Sequence, residues 1–188
     1  ALDWFREKHS AFHYSYYILW QKVAYNWAKS SGIKFDVIHH ISMGNYRITG
    51  QMYKIKDAYT IFGPVGGGQT TAPALRSYYN SNKLYENFRN SVNKAFSKFN
   101  FYKKQINAFD KVYAVNDETK NAIETAVNIN CEKLCDIAIS KDMQNLDIHH
   151  ENNDEVEIIY LGRIIELKGI MLLIDVIKNI KTDKKFHI

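Results

Sequence analysis

The stretch AYTIFGPVGGGQTTAP, residues 58–73, runs from an apolar strand straight into glycine. It holds four of the chain's nine glycines and both of its prolines. A tight turn needs one or two such residues, so the excess suggests backbone that must lie bare beside a ligand, with a plain turn as the other reading. Outward from this joint the same pattern recurs. Upstream, Trp20, Val23, Ala24 and Trp27 stand at helical spacing, Ser30-Ser31-Gly32 ends the helix, and FDVIHHIS (35–42) reads as a short buried strand. Downstream, Leu84, Phe88, Val92, Ala95, Phe96 and Phe99 form a helical stripe, with Lys83, Lys94 and Lys98 on another face. FDKVYAVND (109–117) is a third strand, and ETKNAIETAV (118–127) a helix that Asn116 or Asp117 caps. VEIIYLG (156–162), KGIMLLIDVIKNIK (168–181) and KKFHI (184–188) complete a further strand, helix and strand start. Strands alternating with helices predict an α/β fold with parallel sheets.

The division this predicts is an N-terminal domain over residues 1–140, an acidic linker over 141–155, and the truncated opening of a second domain over 156–188. One strand, one helix and a stub cannot cover a parallel sheet on both faces. The net charge of +5 is uneven. Residues 76–111 carry eight Lys/Arg against two acids, while 142–157 carry six acids and no Lys or Arg. The basic helix expected over 83–104, with aromatics between its lysines, suits either a solvated face or peripheral docking on an anionic membrane. No recognition motif accompanies the charge, so nucleic acid is not an expected partner. No apolar run is long enough to span a bilayer and no signal-peptide layout is visible; the expected location is cytoplasmic, with peripheral contact at the inner membrane face. Cys131 and Cys135 are too few for a disulfide framework or a zinc site; four apart, they read as two buried residues on one helix face.

Three stretches carry chemistry. After the strand at 156–162, Gly162-Arg163 stands at a carboxyl end and Lys168-Gly169 opens a helix. A helix N-terminus offers free N–H groups to an anion, Arg grips phosphate oxygens in pairs, and Lys adds a point charge, so the pattern suits a diphosphate. Solvated loop charges are the alternative. His39 and His40 end FDVIHH (35–40), with a His packed at a strand end as the other reading, and Arg47 in GNYRITG (44–50) reads either as a residue that reaches an anionic substrate group or as an ordinary loop Arg. The glycines at 63, 66, 67 and 68 do not fit G-x-G-x-x-G, which argues against a dinucleotide fingerprint. His149-His150 sits in the polar linker and is assigned no site.

With the strand before it, Gly162-Arg163 and Lys168-Gly169 resemble the "GR…KG" signature that opens the C-terminal domain of group 1 (family 4) glycosyltransferases. The D-x-x-H of Asp36 to His39, the following Arg47, the G-P-x-G-G-G of Gly63 to Gly68, and YAVNDETKNAI (113–123) resemble motifs of the same family, in the same order, over nearly the whole chain. The resemblance implies a GT-B architecture: two Rossmann-like parallel-sheet domains, the second truncated here. It implies retaining transfer of a hexose from a nucleoside-diphosphate sugar to a saccharide or lipid-linked acceptor in surface-polysaccharide assembly, without a metal or other cofactor. Arg163, Lys168 and Gly169 would hold the donor diphosphate; Gly66, Gly67, Gly68, Gln69 and Arg47 would face the sugar or acceptor; His39 would take the catalytic position. A second His two residues after His39, common in relatives, is Ile41 here, and the family's E-x7-E carboxylates fall beyond residue 188. The 188-residue chain alone is therefore expected to be inactive. Other GT-B enzymes of sugar nucleotides, epimerases or phosphorylases, and a non-catalytic membrane-associated module are the competing classes.

Overall fold

The structure, a computed structural model, describes residues 10–41, 43–96, 98–144, 155–164 and 168–187. The acidic stretch 145–154, with His149 and His150, lies outside the described residues, as do 165–167. The described chain is α/β and divides into two compact units, residues 1–70 with 90–137 and residues 71–89 with 138–188. Residues 71–89 thus group with the C-terminal stretch, so the chain passes between units three times, where a division at 140/141 passes once.

The first unit is a four-stranded parallel sheet in the order β1 (Val37–His40), β2 (Tyr59–Val65), β3 (Lys111–Ala114), β4 (Cys131–Lys133). This one-directional order is compatible with half of a Rossmann-like sheet, and no reversal of order occurs among the described strands. Burial alternates along β1 and β3. His40, Phe62, Val112 and Cys131 share one face through the pairs His40↔Phe62, Phe62↔Val112 and Val112↔Cys131, and all are buried. Against that face pack Tyr102 and Ile106 of α3 (Asn100–Ile106) and Ile123 and Ala126 of α4 (Asp117–Ala126). Phe62, Ile106 and Ile123 are fully buried, each contributing roughly 1.5–3 kcal/mol by removal from water. Val37, His39 and Tyr59 lie on the opposite face and are exposed, so the buried strand expected at 35–42 is an exposed edge strand.

Local chemistry explains the joints. Asn116 sits in extended backbone and its Oδ1 accepts from Thr119 N at 2.9 Å, capping α4 as expected, with Asp117 and Glu118 complementing the helix dipole. Asp110, ahead of β3, accepts from Thr60 N at 2.7 Å and Thr60 Oγ1 at 2.8 Å, locking β3 to β2 at its start. At the other end the β2–β3 register shifts between Phe62 and Val65, because Pro64 has no N–H to give and Gly63 adopts φ +114° against the Tyr113 carbonyl. The Gly63–Pro64 peptide is cis.

Helix α1 (Ser10–Ser30) ends where expected, with Ser31 N bonding Trp27 O and Gly32 at φ +71°. Its buried face is Tyr17, Gln21 and Ala28, whereas Trp20, Val23 and Trp27, the expected stripe, are exposed. The helix carries apolar residues on both sides, and hydrogen bonding to the sheet selects the other one. Gln21 Nε2 donates to Tyr17 Oη at 2.6 Å, Tyr17 Oη donates to His40 Nε2 at 2.9 Å, and His40 Nδ1 donates to the Thr49 carbonyl at 3.1 Å. The carbonyl can only accept, which sets the direction of the chain of bonds.

Two further expectations are corrected. The helix over 83–104 is two helices, α2 (Lys83–Phe96) and α3, and Leu84 and Phe88 of the expected stripe are exposed. Cys131 lies in β4 and is buried while Cys135 is exposed, so they share no helix face; the four-residue spacing carried no strand information. Burial pushes the Cys131 thiol up to about 11.

In the second unit β5 (Glu155–Glu157) pairs in parallel with β6 (Lys185–His187), joined by α6 (Ile170–Asn179) after the one-turn α5 (Lys141–Gln144). Two parallel strands and one crossover helix bury little: Ile159, Leu161 and Ile164 are exposed, and no residue of α6 is buried. A 3-10 helix over Pro73–Asn82 belongs to this unit. Desolvation and the Asp175 carboxylate of α6 both raise the Tyr78 phenol.

Candidate functional site

The first unit gathers its chemistry-bearing residues where β1, β2 and β3 end, the edge at which open α/β sheets bind ligands. Leaving β1, residues 44–47 turn beside the glycine run: Gly66 N donates to Gly44 O at 2.5 Å and Tyr46 N to Gly66 O at 3.0 Å. His39 lies one strand away and its Nε2 donates to the Gly63 carbonyl at 2.6 Å. Asn45 Oδ1 accepts from Arg47 N at 3.0 Å and Arg47 Nε at 3.2 Å, and the Arg47 guanidinium stands 5.9 Å from the Tyr46 ring centre. The two terminal nitrogens of Arg47 have no partner among the described residues.

The glycine run is held from inside the protein. Besides Gly66, Gly67 N donates to Gln69 Oε1 at 3.0 Å and Gly68 N to Thr119 Oγ1 at 3.1 Å. A Cβ on Gly68 would stand 2.6 Å from Thr119 Cα, so the loop lies directly on the start of α4. Gly67 holds φ +98°, open to glycine and strained for other residues. The close approach that this stretch needs is therefore made first to its own α4 and to residues 44–46. Asn93 of α2 reaches the same loop, with Nδ2 donating to Gly67 O at 3.4 Å, and its Oδ1 is buried without a hydrogen-bond partner among the described residues.

The sequence does not single out Asn45, Asn93 or Thr119. Thr119 carries a weak signal as the third residue of the Asn116 cap; the other two are asparagines in polar surroundings whose partners are distant in the chain.

The remaining expected residues belong to the second unit. Arg163 is exposed, with its carbonyl accepting from Tyr160 Oη at 2.9 Å. Lys168 is exposed, and Gly169 caps α6 at φ +71° with no side-chain cap, so the first N–H groups of α6 gain no side-chain acceptor from their cap residue. Arg163 has no anionic partner among the described residues. No cluster of three or more His, Cys, Asp or Glu suited to a metal occurs among the described residues. No described helix is long and apolar enough to cross a membrane.

A cavity of about 510 Å³ is lined by Arg47 but by neither His39 nor the glycine run. It lies between α1, residues 47–51 and α3. A smaller one of about 270 Å³ lies before β1 and β2, at the amino ends of the strands, among Lys29, Lys34, Lys54 and Lys56.

Together the fold and this edge define an α/β protein with a four-stranded parallel sheet. Comparison with protein families, with curated proteins and with solved structures finds no match to this chain.

Proposed function

We propose that the protein is a GT-B glycosyltransferase of the group 1 type, moving a hexose from a nucleoside-diphosphate sugar to a saccharide or lipid-linked acceptor. The observation that carries the reading is the convergence of the D-x-x-H strand, the G-P-x-G-G-G loop and the Asn116-capped helix at one carboxyl edge of a parallel sheet. These motifs lie far apart along the sequence, and their meeting there supports a shared site. His39 keeps Nδ1 for a substrate while Nε2 holds the Gly63 carbonyl. Gln69 and Arg47 are the acceptor-facing residues in this reading. Arg163, Lys168 and the open start of α6 are the donor-diphosphate residues in this reading, neutralising charge that builds on the leaving group.

The test is sugar transfer by the protein expressed from its complete gene, across a panel of nucleoside-diphosphate hexoses. With Arg163→Ala and Lys168→Ala combined, turnover is expected to fall by about 10²-fold or more, as for the loss of groups that stabilise transition-state charge. Unchanged transfer in that variant, or no transfer from any donor by the wild type, would overturn the reading.

A further inference from the structure

We propose that the groove between α1, residues 47–51 and α3 binds a small amphipathic anion: an apolar chain or ring system carrying one terminal carboxylate or phosphate. The cavity of about 510 Å³ falls in the range of small-molecule sites. Its walls are Ile18, Ile48, Phe96, Phe99, Phe101 and Tyr102, of which Ile18, Phe99 and Phe101 are 53%, 56% and 72% exposed. Such walls gain by being covered with something apolar.

The polar side chains in the lining decide what else the ligand carries. Gln21 is committed to Tyr17, Gln105 donates to Tyr53 Oη at 3.3 Å, Gln51 accepts from Lys54 at 3.3 Å, and Tyr102 Oη donates to Tyr46 O at 3.2 Å. Arg47 is the only charged residue in the lining, and its terminal nitrogens have no partner among the described residues; the second amide atoms of Gln21, Gln51 and Gln105 are the neutral polar groups left beside it. One cation among mostly apolar walls is best used by a ligand with an anionic head on an apolar body. Asn45 and the Tyr46 ring hold the guanidinium in place, so the anion has a fixed receptor. The inference does not require sugar transfer, and its test reads binding alone.

The experiment titrates the 188-residue chain with cis-parinaric acid, followed by fluorescence, and then displaces it with oleate, farnesyl monophosphate and the neutral oleyl alcohol. One or both anions are expected to displace at least tenfold better than the alcohol, the stronger one identifying a carboxylate or a phosphate head. Arg47→Gln is expected to erase that preference and Arg47→Lys to restore part of it. Phe101→Ala, at an exposed position that the fold does not need, is expected to weaken all three and decides the matter if the Arg47 variants do not fold. Equal displacement by alcohol and anions, an unaltered Phe101→Ala, or a dimer in light scattering that excludes the probe would each overturn the proposal.

Discussion

Alanine at each of the three consecutive glycines separates packing from ligand approach as the reason for the run. At Gly68 the new methyl would stand 2.6 Å from Thr119 Cα, 3.0 Å from Thr119 N and 3.1 Å from Glu118 O, all backbone atoms at the start of α4. None can swing aside, so α4 or the loop must shift, an overpacking cost of about 1–3 kcal/mol. The shift also strains the Gly68 N–H bond to Thr119 Oγ1, about 1 kcal/mol, against a gain of about 0.4–1 kcal/mol from the stiffer unfolded chain. The net expectation is a loss of about 2 kcal/mol, or a fall in Tm of roughly 4–8 °C for a chain of this size. At Gly66 the nearest atom is a side-chain methyl of Val115 at 3.2 Å and φ is not positive, so Gly66→Ala is expected to stay within about 0.5 kcal/mol. Gly67→Ala has room but φ +98°, a backbone cost of about 1–3 kcal/mol. Urea melts of the three variants give the order. Three melts indistinguishable from wild type would refute the packing argument and leave the glycines to a ligand alone.

Further outcomes follow from other contacts. Asn116→Ala removes the α4 cap and is expected to cost about 1 kcal/mol in the same melts, with Asn116→Asp close to neutral. Hydrogen bonds from Thr60 hold the Asp110 carboxyl below the usual range. Its contribution is therefore present above the unfolded pKa of about 3.9 and lost as pH falls through the folded value, and Asp110→Asn should flatten that part of an acid unfolding curve. Iodoacetamide should alkylate the exposed Cys135 well before Cys131, whose thiol is buried and pushed up to about 11; mass mapping of a time course reads the order. Sedimentation with anionic vesicles tests the membrane reading of α2 and α3: Lys94 and Lys98 to Ala together should reduce binding several-fold if that surface docks there, and unchanged binding dismisses it.

The elements were largely legible where composition and periodicity agree. The α4 cap, the end of α1 at Ser30–Gly32 and the strand-to-glycine joint at 58–68 are set by neighbours a few residues away, and the structure forms them there. Faces were less legible. Helix α1 has apolar residues on both sides, and the choice fell to Tyr17, Gln21 and His40, a partnership spanning 23 residues. The α2–α3 break lies inside a run whose apolar spacing continues across it. At the candidate site the glycines announce themselves by composition, but their contacts with Thr119 and Asn93 are 51 and 26 residues away in the chain. The groove at Arg47 leaves no mark in the sequence, because its walls come from three separate segments with ordinary core composition.

The strand order of the first unit bears on how the chain comes together. Because β1, β2, β3 and β4 lie side by side in the order they occur, each strand pairs with the one made just before it. A chain emerging amino end first can extend this sheet one strand at a time, with no gap held open for a later segment. The step with the longest loop to close is β2 to β3, and it is the one that Asp110 fastens to Thr60 at the first residue of contact. Vectorial synthesis and sheet growth here run in the same direction.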